Sequence, residues 1–267
     1  MRHPALLFIA TFSLTLTFYG CGQKQDTGPS TDQVKTPPKD DKDAQKVDDD
    51  AKPTTKKAES SDPGSADIAG RITLGSPIPA PRKLSITKDV ETCGAADTIQ
   101  DITGKDGGVA NVVIEVKGVK GDSFQYTDPK DGYVMRQKDC QFKPNLLVVP
   151  FGKEIKVYND DPVGHNVNTG DWNQMQPAGP DPIVRPVENK APTKIGCNIH
   201  SWMEAWIYPV QNPYFAVTDE QGNFQINGIP PGKYRVNIWH PSLGRKTERM
   251  TLKAGESEQL DHEFTIK

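Results

Sequence analysis

Three side chains that bind soft or borderline metals lie close together in residues 197–203. They are the thiol of Cys197, the imidazole of His200 and the thioether of Met203. A trigonal set of two histidines and one cysteine, with a weak axial methionine, is the ligand set of copper sites that transfer electrons. This interpretation requires a second imidazole, and we assign that role to His165, which precedes the run in the chain.

The surrounding sequence predicts the strands that would hold these residues. Residues 146–158 contain an apolar run, a glycine turn and a second run rich in β-branched residues, a pattern typical of a pair of short strands. His165 follows in a loop, and the segment after Met203 predicts a further strand. We therefore expect the four ligands at one end of a β-sandwich.

The segment from about residue 133 to residue 210 resembles the cupredoxins, the small blue-copper proteins, and among them the amicyanin and plastocyanin type. The matching features are Phe-Lys-Pro at residues 142–144, His-Asn-Val at residues 165–167 and the Cys-x₂-His-x₂-Met spacing of residues 197–203. The resemblance implies a Greek-key β-sandwich over residues 129–210, one type 1 copper ion and single-electron transfer. It also implies that Asn166 ties the two ligand loops together, although a turn-forming asparagine is an equal alternative.

The position of His200 leads to an expectation about partners. His200 lies on the short loop between Cys197 and Met203. We therefore expect its ring edge to reach solvent, with His165 beneath it. A redox partner protein would then dock near His200, through the small and weak interface that is typical of redox encounters.

The N-terminal part predicts export and a membrane anchor. Residues 1–20 carry an early Arg2 and an apolar run too short to span a bilayer comfortably, as in a signal peptide. The small residue before Cys21 resembles a bacterial lipoprotein signal, so Cys21 is the predicted lipidation site; an ordinary signal with an incidental cysteine is the alternative. Residues 21–65 have no aromatic side chain and predict a disordered tether. We expect the protein in the cell envelope, lipid-anchored to a bacterial membrane.

Two further cysteines, Cys93 and Cys140, lie outside the metal motif. In an exported protein such a pair predicts a disulfide bond. The rival interpretation makes Cys140 a metal ligand, but no second ligand lies at short spacing from it.

The C-terminal part, residues 211–267, predicts a second sandwich. Thr-Asp-Glu-Gln-Gly at 218–222 and Pro-Pro-Gly-Lys-Tyr at 230–234 resemble the carboxypeptidase regulatory-like, or transthyretin-like, β-sandwich. We interpret the first as a hairpin turn and expect Tyr234, Val236 and Ile238 on one face of a half-buried antiparallel strand. Residues 66–128 either belong to this sandwich, with the cupredoxin inserted, or attach to the cupredoxin; we favour the insertion.

The fold class that follows is all-β: a Greek-key cupredoxin β-sandwich plus a transthyretin-like β-sandwich. A net charge of −3 over 267 residues argues against nucleic-acid binding, and without a catalytic motif we expect no enzyme. The favoured function is a copper electron carrier. The alternatives are a non-redox copper-binding protein and a structural, carbohydrate-binding or protein-binding β-module with a vestigial copper site.

Overall fold

The computed structural model describes residue 62 and residues 64–94, 97–121 and 124–266. The predicted signal peptide, the predicted lipidation site Cys21 and nearly all of the predicted tether lie outside the described residues. Within the described ranges, no helix is long and apolar enough to cross a bilayer.

The described chain is built almost entirely of strands, which confirms the all-β class. The first part contains β1 (Ala66–Leu74), β2 (Arg82–Lys83), α1 (Val90–Cys93), β3 (Thr98–Ile99) and β4 (Val113–Lys117). The middle part contains β5 (Tyr133–Lys138), β6 (Gln141–Lys143), β7 (Leu146–Pro150), β8 (Glu154–Asn159), β9 (His165–Asn168), β10 (Asn173–Gln176), β11 (Gly179–Pro186), β12 (Thr193–Gly196) and β13 (Glu204–Val210). The last part contains β14 (Phe215–Val217), β15 (Asn223–Ile229), β16 (Gly232–His240), β17 (Gly244–Leu252), β18 (Ser257–Gln259) and β19 (His262–Phe264).

Strands β5 to β13 form one sandwich. One of its sheets has the order β10-β9-β12-β13-β7 and the other the order β11-β8-β5-β6. Ile155, Val157 and Asn159 of β8 are buried and alternate with more exposed residues, as expected for a strand with one face on a core. The pairs β5–β8 and β7–β13 are parallel. Parallel neighbours need long connections, so the chain crosses repeatedly between the two sheets.

The second sandwich combines strands from both sides of the first. Strand β1 pairs with β15, β18 and β19, while β4 pairs with β14 and β16. Ile68 and Ile72 of β1 pack in one core with Ile114 of β4 and with Val236 and Ile238 of β16. The first sandwich is therefore inserted, in the chain, between two parts of the second.

An aromatic cluster and a buried carboxylate join the two sandwiches. The Trp239 ring centroid lies 5.5 Å from that of Trp206 and 5.1 Å from that of Tyr208. Glu115 is fully buried beside them and accepts the Tyr208 hydroxyl at 2.9 Å and the Lys117 ammonium at 3.0 Å. Burial and the Glu115 charge raise the pKa of Tyr208. The phenol therefore stays protonated and remains a donor to the carboxylate.

Two turns that contain glycine connect strands of different sheets. Strands β7 and β8 are both present, but β7 pairs with β13 and β8 with β5 and β11. Residues 219–222 likewise lead from β14 in one sheet to β15 in the other. Gly222 has φ +81°, and a Cβ there would lie 2.1 Å from the Ile72 carbonyl. Glycine lets the turn lie close against β1, where the chain changes sheets, so the hairpin prediction for residues 218–222 is wrong.

Replacing Tyr208 with Phe tests the buried link between the sandwiches. The substitution leaves the Glu115 carboxylate without one donor. We expect the free energy of unfolding to fall by about 1–3 kcal/mol, the cost of an unsatisfied buried polar group, as measured by denaturant titration. Tyr158→Phe is the control, because the described contact of that half-buried ring is with the Arg136 guanidinium. Equal effects of the two substitutions would contradict the assignment.

Candidate metal centre

Three strand ends of the five-stranded sheet bring the predicted ligands together. His165 is the first residue of β9, Cys197 directly follows β12, and Met203 directly precedes β13. Because β12 pairs with both β9 and β13, these ends are neighbours. His200 lies in the turn between Cys197 and Met203. The Met203 N–H donates to the His200 carbonyl at 2.9 Å, and the Cys197 N–H donates to the Met203 carbonyl at 3.3 Å.

The donor atoms of three predicted ligands converge. His165 Nδ1 lies 2.9 Å from His200 Nδ1, which lies 3.8 Å from Cys197 Sγ. The ligand atoms of all three residues are within 4.8 Å of one another. Both imidazoles are completely buried and Cys197 is 4% exposed. The structure therefore brings together one sulfur and two nitrogen donors in a site closed to solvent.

The outer nitrogens of both imidazoles are held by carboxylates. His165 Nε2 lies 2.8 Å from Asp161 Oδ2, and His200 Nε2 lies 2.8 Å from Asp89 Oδ2. A carboxylate accepts hydrogen bonds and does not donate them when it is ionised. Each Nε2 therefore carries a proton and each Nδ1 presents a lone pair to the centre. Metal-binding histidines commonly have their outer N–H bound in this way.

The two Nδ1 atoms repel each other unless something positive lies between them. Burial is the largest influence on the His165 ring and lowers its pKa, against the opposing effect of Asp161. The neutral imidazole is the form that binds metal. A proton shared between the nitrogens, or a cation bound to both, removes the repulsion, and a cation can also contact the nearby sulfur.

The spacing of the donors fits a single metal ion. Bonds of about 2.0–2.1 Å to imidazole nitrogen and about 2.3 Å to thiolate sulfur are typical of such sites. The nitrogens lie 2.9 Å apart and the His200 nitrogen lies 3.8 Å from the sulfur, so these three residues would be able to hold one ion. Two imidazoles with one thiolate suit copper better than calcium or magnesium, which prefer oxygen ligands.

Asn166 joins the loop of the first histidine to the loop of the cysteine. Its Oδ1 accepts the Asn198 N–H at 2.7 Å and lies 3.4 Å from Cys197 Sγ. Its own backbone N–H donates to that sulfur at 3.4 Å, and its Nδ2 donates to Asn173 Oδ1. The side chain thus contacts both loops, which is the arrangement that the resemblance implied.

The remaining candidates differ in their surroundings. Met203 is 1% exposed and packs in the same core as Cys197, whereas Met175 is 60% exposed. Cys93 and Cys140 form a disulfide bond with their Cα atoms 5.1 Å apart. Their sulfurs lie within 4.8 Å of a ring nitrogen of His200. Because they are bonded to each other, they are not free to act as thiolate ligands.

The expectation that the edge of His200 reaches solvent is wrong. The ring is completely buried, as is that of His165. Asp89 stands over its outer nitrogen, and Trp202, with its ring centroid 5.1 Å away, covers another side. A segment distant in the chain covers the short loop, and the spacing of residues 197–203 alone does not reveal it.

Asp161 and Asp89 are the residues of the candidate site that sequence reasoning missed. Asp161 has a local signal, because it lies four positions before His165 and just after a strand. It also accepts the N–H groups of Asp139 at 2.7 Å and Cys140 at 2.9 Å, so it is built into the fold. Asp89 is separated from His200 by 111 residues and has no local signal that relates it to the site.

Comparisons with known proteins match separate parts of the chain. A protein-family model described as Polysaccharide lyase family 4, domain II matches residues 196–260. That is less than half of the chain, and it is a different family from the carboxypeptidase regulatory-like one that the sequence resembles. No curated protein matches the chain.

Several solved structures are similar to a part of the chain. Amicyanin from Paracoccus versutus has 16% sequence identity and a TM-score of 0.27; the match covers 36% of this chain and 96% of amicyanin. A purple cupredoxin from Nitrosopumilus maritimus has 20% identity and a TM-score of 0.23, with 36% and 96% covered. A copper-containing nitrite reductase from Thermus scotoductus has 14% identity and a TM-score of 0.27, with 36% of this chain but only 25% of the reductase covered. At these values, function has to be argued from the site itself.

Replacing Asp161 with Asn tests the support of His165. An amide has one acceptor oxygen. Its NH₂ group would face N–H groups that now donate hydrogen bonds to the Asp161 carboxylate. We expect metal affinity to fall about 10–100-fold, as is typical when the partner of a ligating histidine is lost, measured by competition with a chelator of known affinity. The neighbouring substitution Asp160→Asn is the control, because Asp160 binds the Arg136 guanidinium at the surface. The account fails if both variants retain full affinity.

Proposed function

We propose that this protein is a type 1 copper protein that carries single electrons. The observation that carries the proposal is the convergence of His165 Nδ1, His200 Nδ1 and Cys197 Sγ in a closed site, with both outer nitrogens bound to carboxylates. Met203, buried beside Cys197 in the chain's tight turn, is the proposed weak axial ligand. Bound copper would supply one-electron chemistry by alternating between Cu(I) and Cu(II).

The protein's own contribution is to hold the ligands in one arrangement for both oxidation states. The hydrogen bonds within residues 197–203 fix the loop that carries two ligands and the proposed third. Asn166 ties this loop to β9, and Asp161 holds the ring of His165. Burial of these side chains would keep water away from a bound ion. A site that does not rearrange when copper gains or loses an electron exchanges electrons readily, which is the property a carrier needs.

The proposal extends to the cell and to partners. We include lipid attachment through Cys21, a position in the bacterial cell envelope and a redox partner protein that approaches the ligand end of the first sandwich. No chemistry on a bound substrate is part of the proposal. The exposed side chain of Met175 and the exposed residues 177–179 lie near this end.

Copper loading of the purified protein tests the proposed function. We expect one equivalent of copper by metal analysis and an intense visible absorption from the bond between the Cys197 thiolate and Cu(II). The absorption should disappear on reduction and return on oxidation. Cys197→Ser should abolish it, because serine supplies no thiolate, whereas Met175→Leu, at an exposed position, should keep it. Copper that binds without this absorption would favour non-redox copper binding instead.

A further inference from the structure

The carboxylate of Asp89 lies between a predicted ligand and solvent. Asp89 Oδ2 is 2.8 Å from His200 Nε2. The Asp89 side chain is 41% exposed, whereas that of His200 is completely buried. His200 therefore has its inner nitrogen at the metal site and its outer nitrogen under a carboxylate that itself faces water.

Asp89 contacts His200 in place of the helix-capping hydrogen bond that its position would allow. Asp89 is the N-cap residue of α1, with φ 47° and ψ 42°, and its side chain makes no capping hydrogen bond. An aspartate at this position normally accepts a helix N–H, and left-handed backbone is unfavourable for residues other than glycine. The backbone carbonyl accepts the N–H groups of Thr92 and Cys93, at 2.9 and 2.8 Å, as the carbonyl of an N-cap residue does. The carboxylate makes no capping bond and contacts His200 instead.

The disulfide bond fixes the segment that carries Asp89. Cys93, the last residue of α1, is bonded to Cys140. The Cys140 N–H donates to Asp161 Oδ2, which is also the atom that holds His165 Nε2. The disulfide therefore links the segment that supplies Asp89 to the segment that binds Asp161.

We propose that Asp89, held in place by the Cys93–Cys140 disulfide, is a positioning residue for the metal ligand His200. The carboxylate keeps the proton on Nε2, directs Nδ1 to the metal and closes the ring edge to solvent. The metal part of this inference rests on the proposed function. A consequence is that a partner cannot contact the His200 ring edge unless α1 moves.

The first test uses the metal-free protein, so its result does not depend on copper binding. The hydrogen-exchange rate of the His200 Nε2–H, followed by ¹⁵N NMR, should rise at least about 10-fold in Asp89→Gly. Glycine suits the left-handed backbone, so the variant removes the carboxylate without adding strain. Asp89→Asn should stay close to the wild type, because the amide oxygen can still accept this N–H. Asp171→Gly, at another exposed aspartate of the same sandwich, should leave the rate unchanged.

The second test measures the effect on bound metal. Copper affinity should fall about 10–100-fold in Asp89→Gly and by less in Asp89→Asn. The double variant Cys93→Ser/Cys140→Ser should show both the faster exchange and the weaker affinity. An exchange rate in Asp89→Gly equal to that of the wild type overturns the proposal. A wild-type protein that shows slow exchange but binds no copper overturns the proposed function and leaves the contact between Asp89 and His200 established.

Discussion

The arrangement of this site depends on one constraint: the Nδ1 atoms of His165 and His200 face each other 2.9 Å apart inside the protein. The hydrogen bonds to Asp161 and Asp89 direct a lone pair from each ring towards the other. In a buried place such an arrangement is unfavourable unless a cation or a shared proton lies between the nitrogens. The Cys197 sulfur beside them adds a third donor, so the same geometry that creates the repulsion also provides a candidate metal site.

The fold maintains this arrangement from both sides. Pairing of β12 with β9 and β13 brings the strand ends of the ligands together, and Asn166 links the two loops. On the outer side, the disulfide attaches α1 to the segment after β5. The first of these segments supplies the Asp89 carboxylate, which holds His200, and the second binds the Asp161 carboxylate, which holds His165. The second sandwich contacts the first through Trp239 and Glu115, which pack against β13 residues. Strand β13, which follows Met203, is thus also part of the contact between the sandwiches.

Contacts between residues a few positions apart could be predicted from the sequence. Contacts between segments that are far apart in the chain could not. The approach of Cys197 and His200 could be predicted because one short turn carries both, and that of His165 because it lies between recognisable strands. Met203, at the end of the same turn, stays a predicted ligand. The role of Asp89 could not be foreseen, since 111 residues separate it from His200. The turns at residues 150–153 and 219–222 carry ordinary turn residues, but turn chemistry does not say whether a chain returns to its own sheet or crosses to the facing one. The partners of the flanking strands decide that, and they lie elsewhere in the chain.

The ligand set around the ion is the central claim, and X-ray absorption at the copper edge of the loaded protein tests it most directly. The account predicts one sulfur scatterer at about 2.3 Å and two imidazole nitrogens at about 2.0–2.1 Å, by analogy with thiolate and imidazole bonds to zinc. The sulfur signal should be lost in Cys197→Ser. A spectrum with only nitrogen and oxygen scatterers in the wild-type protein would contradict the account.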